Sequence, residues 1–396
     1  MTQHLNRRLV GHLALVGFMA AIAVSGPAHA QTYQTLSPVG LGDPNNVGVG
    51  TTIVFNSMLY IGTWNSITGT EVWRYDGVTW TQVNVDGFGD PTNTGILCLA
   101  EYNGRLYAGT YNQPTGGEVW SYDGSNWTQV NADGFGNPAN QWALNMAVYG
   151  GELVVGTGNL STGIEVWSYD GSVWSQIATG GFGDANNHNA NGMTVFGGSL
   201  LVGTYKTLLP GAEVWSYDGS AWSQINVDGF GDPNNNGVSS LTVYNGVVYA
   251  GTYNRVTGTE IWTYNGSSWT QVSTDGFGSA NNHSIQAASV YGGALYVGTW
   301  NGIDGGEVWE WDGTAWRPIV AGGFGVAGTV IANGGMAEFG GFLIVGTFNS
   351  TSGGVVYEVD PQRQPGAVGI PAMSPFGVAA FILLVAAIAV GVLRRV

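Results

Sequence analysis

Few side chains in this 396-residue chain could make or break bonds, and their spacing limits what they could do. Of five histidines, only His188 and His283 lie beyond the first 30 residues, and Cys98 is the only cysteine. No intrachain disulfide can form, and Cys98 reads as a small apolar packing residue. Ser-His-Asp, Walker and His-Glu-x-x-His patterns are missing. Acids are plentiful. Asp86 with Asp90 and Asp228 with Asp232 stand in Asp-Gly-Phe-Gly-Asp-Pro loops, each followed by an asparagine. Such hard oxygens suit Ca²⁺, although the spacing is not that of an EF-hand, and Asp before Gly is equally a turn residue. Both readings stand. Two carboxylates could also serve a glycoside hydrolase, but nothing in the sequence places such a pair.

A second group suits binding. Trp64, Tyr111, Tyr205, Tyr253, Trp300 and Phe348 each follow Gly-Thr, and all but Tyr205 precede Asn. An aromatic face beside an amide offers a sugar ring both stacking and hydrogen bonds, whereas an Asn after Gly-Thr could simply cap a turn. Departures from this pattern are candidates in their own right. Lys206 replaces the Asn, Arg255 marks the following loop, and Trp142, His188 and His283 occupy variable positions. They read as a patch for polysaccharide or a surface protein, or as loop drift.

These residues must be positioned by a repeat. Gly-Thr recurs from Gly62, Gly109, Gly156, Gly203, Gly251, Gly298 and Gly346, at intervals of 47 or 48 residues, a period of propeller blades and solenoids. Each copy holds four short β-prone runs, here 143–148, 153–157, 165–169 and 174–177, joined in part by Asn-Gly, Gly-Gly or Asp-Gly pairs that favour hairpins. The outer run begins at Trp80, Trp127, Trp174, Trp222, Trp269 and Trp316 but is missing after Val359. The segment Tyr33–Leu36, followed by Gly40-Leu41-Gly42-Asp43-Pro44, matches it. An all-β, seven-bladed propeller over 31–360, closed by its N-terminal strand, is therefore expected. Recurring tryptophans such as Trp120 and Trp127 should pack blade on blade.

The repeat resembles the kelch type, in which a Tyr-Asp such as Tyr122-Asp123 and a Trp such as Trp127 recur, with Gly109-Thr110 where kelch has Gly-Gly. That resemblance implies fold only, since such propellers host binders and enzymes alike. Galactose-oxidase-like copper chemistry would need clustered His and Tyr with a Cys-linked Tyr, which two separated histidines do not supply.

Both ends read as addresses. Arg7-Arg8, the apolar run 9–24 and Ala28-His29-Ala30 form a signal peptide over 1–30. After a linker over 361–375, the span 376–393 is long and apolar enough to cross a membrane, and Arg394-Arg395 hold the cytoplasmic side. The motif Ile370-Pro371-Ala372-Met373-Ser374 before this expected transmembrane helix resembles the IPTL-CTERM type of C-terminal sorting signal, a relative of PEP-CTERM. That resemblance implies a Gram-negative envelope protein handled by a sorting protease, on the periplasmic face of the inner membrane and then at the cell surface or released. The repeat region sets five basic residues against 26 acidic ones, about −21, which excludes nucleic acid as an expected partner. The expected role is non-catalytic binding of carbohydrate or protein, with a secreted hydrolase or a structural scaffold as alternatives.

Overall fold

A computed structural model describes residues 32–207 and 211–361. The expectations for the signal peptide, the sorting motif and the C-terminal helix lie outside them. Among the described residues no helix is long and apolar enough to cross a membrane.

Each sequence repeat becomes a four-stranded antiparallel unit. In the first, β2 (Gly48–Phe55), β3 (Met58–Trp64), β4 (Val72–Tyr75) and β5 (Trp80–Gln82) pair in order, with Gly48 opposite Trp64, Leu59 opposite Tyr75 and Tyr75 opposite Trp80. The same order recurs in β6–β9 (93–129), β10–β13 (142–178), β14–β17 (187–224), β18–β21 (237–271) and β22–β25 (284–320). The last unit has only β26 (Val330–Phe339), β27 (Phe342–Phe348) and β28 (Val356–Val359) in sequence. Its fourth strand is β1 (Tyr33–Thr35), with Tyr33 opposite Val359 and Thr35 opposite Tyr357. The first and last units also meet, through Gly48 and Phe348. The architecture is of the β-propeller type, closed by the N-terminal strand as expected.

Second strands are buried on both faces, as in Leu59–Thr63, because each sheet is covered by a neighbour on either side. The glycine of each Gly-Thr follows from the same packing. A Cβ on Gly62 would collide with Ile96 of the next unit, and one on Gly251 with Ile285. The threonine serves the backbone instead, since Thr63 Oγ1 accepts the Glu71 N–H at 2.8 Å.

First-to-second turns carry positive φ at both central residues, 49° at Asn103 and 71° at Gly104, the hairpin geometry that Asn-Gly favours. The Asp-Gly link differs from a two-residue hairpin. It is a four-residue loop in which Asp76 Oδ1 accepts from Val78 and Thr79 N–H at 2.8 and 2.7 Å, so the carboxylate organises the turn.

The Asp-Gly-Phe-Gly loops form successive tight turns with Phe88 at φ 57°, a backbone region that bulky residues avoid. Packing compensates. The Phe88 ring stacks on Trp120 of the next unit at 4.6 Å and 9°, and meets Trp127 edge-on. Trp127 Nε1 in turn donates to Val83 O at 3.0 Å. The recurring tryptophans thus join unit to unit, and the core clusters lie between units, as where Val72, Ile96 and Leu106 meet Phe88 and Trp127.

Candidate functional site

Beneath the loop face, a buried hydrogen-bonded knot holds each of the first six units. Glu118 Oε2 accepts from Asn93 Nδ2 and Trp120 Nε1, both at 2.7 Å. Glu71 and Glu260 repeat the arrangement with Asn46 and Trp73, and with Asn235 and Trp262. Burial raises all three carboxyls above the ordinary 4.5, opposed by these donors. The Asn after each Gly-Thr aromatic belongs to the same layer. Asn65 Oδ1 accepts from Ile67 and Thr68 N–H, while its Nδ2 donates to Asp43 and Asn46 at 3.1 Å. Its amide is spent on the turn and is not free for a ligand.

Lys206 takes this place in the fourth unit, and the candidate ligand residue is buried. At 1% exposure its Nζ lies 2.9 Å from Asp184 Oδ2 and 2.5 Å from Glu213 Oε1. The two carboxylates outweigh desolvation and hold the ammonium above its usual pKa. It ties the fold instead of facing the mouth.

The acids considered for calcium also have partners. Asp86 and Asp228 accept from Gln82 and Gln224 Nε2 at 2.7 Å, Asp90 from Thr92 and Asn112, and Asp232 from Asn234 and Asn254. No group of three or more His, Cys, Asp or Glu able to hold a metal occurs among the described residues. Cys98 is buried, as expected of a packing residue, and burial pushes its thiol up to about 12.

The aromatics do come together. The Gly-Thr aromatics lie at or beside the end of their second strands, opposite a residue near the start of their own inner strand and, for several, beside the equivalent residue of the next unit. Trp64 pairs with Gly48 and Gly95, Tyr111 with Gly95 and Trp142, and Tyr253 with Gly237 and Ser284. Glycine at 48 and 95 makes room, since a Cβ there would strike the Phe348 or Trp64 ring. The third unit reverses the roles: β11 carries Gly158, and the facing inner-strand position carries Trp142. A Cβ on Gly158 would strike the Trp142 ring, so that ring fills the space an aromatic at 158 would take.

The result is an arc of half-buried rings. Trp300 and Phe348 lie 5.6 Å apart, Trp64 and Tyr111 5.9 Å, and Tyr111 stacks on Trp142 at 5.1 Å and 4°. They border a cleft of about 510 Å³ whose floor includes Leu97, Leu144 and Gln286. None of its twelve lining residues is Asp, Glu, His, Lys or Arg. Leu97 and Gln286 also border a second space of about 260 Å³ surrounded by the inner strands, including Asn145, Asn191 and Ser240, so the cleft is the mouth of the central channel. The sequence reading missed Leu97, Leu144 and Gln286. Their available signal was variation at one inner-strand position, which in the other copies is Gly50, Asn191, Ser239 or Ala332.

The remaining candidates sit on the other part of the rim. Tyr205 and Tyr253 meet edge-on at 5.5 Å, and the Arg255 guanidinium lies over the Tyr253 ring at 5.3 Å. His188 is buried against Thr207 Oγ1 at 3.2 Å, and His283 is half-buried. Desolvation lowers both imidazoles below 6.5, aided at His283 by the Arg255 charge.

No family model matches the chain, and no curated protein matches it in sequence. Solved structures share its fold. A chain of the mitotic checkpoint complex aligns with TM-score 0.55 at 13% identity, covering 90% of this chain and 99% of that one. The GH74 xyloglucanase of Xanthomonas campestris aligns with TM-score 0.54 at 15% identity over 84% of this chain, and the GH74 enzyme of Niastella koreensis with 0.52 at 15% over 82%. This chain spans about half the length of those two enzymes, at 55% and 53%. At these identities the likeness is one of fold, and it places the chain among β-propeller-type structures.

Proposed function

We propose that the paired units are the seven kelch-like blades of one closed, exported propeller that binds carbohydrate in the mouth of its channel. The carrying observation is the arc from Trp300 to Trp142 around a cleft of about 510 Å³, within the size range of small-ligand sites. Rigid aromatic faces suit the apolar face of a pyranose, and Gln286 and Ser66 at the lining suit its hydroxyls. The absence of any carboxylate from this lining favours binding over hydrolysis, which requires a pair across the scissile bond. Export, anchoring and tail processing rest on the signal and sorting patterns at the two ends. N-terminal sequencing should then give Gln31 as the first residue, and an intact Met1 would remove export.

A glycan array with product analysis after incubation with mixed polysaccharides tests the role. The expected outcome is retained glycan without cleavage, and loss of affinity by about tenfold or more for Trp64→Ala or Trp142→Ala with the melting temperature preserved. Cleaved product would establish a hydrolase. Affinity unmoved by both substitutions would take the ligand away from the mouth.

A further inference from the structure

The rim of the mouth is lopsided. Ser66, Val47 and Thr94 line the apolar cleft, and the repeat carries their positions to the other side. Arg255 follows Asn254 as Ser66 follows Asn65, and His283 precedes Ser284 as Thr94 precedes Gly95. The registers confirm this equivalence, since Ser284 faces Trp300 as Gly95 faces Tyr111. Where one arc presents apolar and hydroxyl groups, the other therefore presents a guanidinium and an imidazole.

Arg255 stands apart electrostatically. Of the five basic residues in the repeat region, Lys206 and Arg317 are ion-paired. Arg105 opens its strand at the far end from Tyr111, and Arg74 lies in β4 opposite Tyr60. Arg255 is exposed and makes no ion pair among the described residues, in a region that supplies 26 acids. The Tyr253 ring beneath the guanidinium, at 5.3 Å, holds it by a cation–π contact and supplies no carboxylate. A preorganised guanidinium lacking a carboxylate at a binding mouth is suited to take one from the ligand.

We infer that the saccharide bound in the mouth is acidic, a uronate whose carboxylate is held by Arg255 beside His283 while its ring rests on the aromatic arc. This rests on the carbohydrate reading above and assigns its ligand class. His188 has no part in it, being buried against Thr207.

Calorimetry on the full chain with α-1,4-trigalacturonate, its neutral galactose counterpart and a sulfated disaccharide tests the assignment. Trigalacturonate should bind at least about tenfold more tightly than the neutral oligosaccharide. Arg255→Met, which keeps the stem over Tyr253, should abolish that preference, and Arg255→Lys should restore part of it. Raising salt should weaken the acidic ligand alone. Equal affinities for acidic and neutral oligosaccharides, or a preference that survives Arg255→Met, would overturn the acidic class while leaving carbohydrate binding intact. Binding of the sulfated sugar alone would replace carboxylate by sulfate and overturn the uronate. No binding of any saccharide, with Trp64→Ala indistinguishable from the parent, would overturn both readings.

Discussion

Six units and the seventh solve the same packing problem in different ways. In the second unit Glu118 is buried with donors from Asn93 and Trp120, and the Trp120 ring stacks on Phe88. At the seam the corresponding residues are Val355, Thr329 and Tyr357, and Tyr357 stacks on Phe324 at 4.1 Å. The carboxylate and both donors are gone together. A buried carboxylate needs its donors and buried donors need an acceptor, so the three residues change as a set. What both designs retain is the ring stack. The seam further differs in drawing its outer strand from the other end of the chain, with Tyr33 edge-on to Phe324 and Tyr357 at 4.9 and 5.7 Å.

The largest effect should come from removing that outer strand. Deleting residues 32–37 exposes the edge of β28, removes the three register pairs of β1, and strips the Ser37 Oγ acceptor from Val356 N–H. At about 0.5–1.5 kcal/mol per net hydrogen bond, with the aromatic contacts added, the loss is a large fraction of a marginal stability. Aggregation on size-exclusion chromatography and a strongly lowered melting temperature are expected. Fusing the same segment after Asp360 should recover the parent melt. A truncated form as stable as the parent would show that β1 does not close the last unit.

The fourth unit sharpens the comparison from the other side, because there one knot has gained a charge. Lys206→Met leaves Asp184 and Glu213 without their cation. Glu213 keeps its donors from Asn187 and Trp215, which sets the loss near the lower end for a broken buried pair, about 3 kcal/mol. Lys206→Asn restores the residue of the other units and should lie within about 1 kcal/mol of the parent in denaturant melts. If Met and Asn proved equally harmless, the ion pair would contribute nothing to the fold.

Much of this was legible. Period, strand order and the N-terminal closing strand followed from the Gly-Thr spacing and from the missing outer run after Val359. The knot was not, although its signal was present within the single chain: Glu71, Glu118, Glu165, Glu213, Glu260 and Glu307 recur, and the copy with Val355 also loses Trp and Asn. Lys206 drew attention as the only lysine, and only three dimensions show two carboxylates around its ammonium. Trp142 looked like an isolated departure because strand pairing, which lets it fill the space that an aromatic at Gly158 would take, is invisible in a linear repeat.

Charge inside the knots predicts an acid optimum of moderate size. Glu71, Glu118 and Glu260 have folded-state pKa values raised by burial, so between that raised value and 4.5 the native state binds more protons than the unfolded chain. Stability therefore rises as pH falls through this window. The turn aspartates Asp76, Asp123, Asp170, Asp218 and Asp312 are lowered by backbone N–H donors, so their contribution is present above 3.8 and is lost as pH drops through their folded values. The melting temperature should peak in the mildly acidic range and fall below 3.8. Relief of general repulsion in a chain of net charge −16 acts in the same direction, so the triple variant Glu71→Gln, Glu118→Gln and Glu260→Gln separates the two. A rise on acidification undiminished in that variant would assign the effect to net charge and not to the knots.

The smallest net change should come from building a knot where none exists. Val355→Glu alone buries a carboxylate beside Thr329 and Tyr357, neither of which can supply both the amide and indole donors, and should cost about 2–4 kcal/mol. Adding Thr329→Asn and Tyr357→Trp supplies those donors. Asn at 329 can still accept from Asn349 Nδ2, as the Thr329 hydroxyl does at 2.9 Å, because Asn46 Oδ1 accepts from Asn65 in that way at 3.1 Å. Trp at 357 can keep the stack on Phe324 that Trp120 makes on Phe88. The triple variant should therefore return to within about 1 kcal/mol of the parent, with a coupling energy of about 1–3 kcal/mol between the sites in a mutant cycle. Additive losses would mean that the Glu, Asn and Trp of the other six units are separate features that happen to recur together, and the contrast between the seam and its neighbours would lose its physical basis.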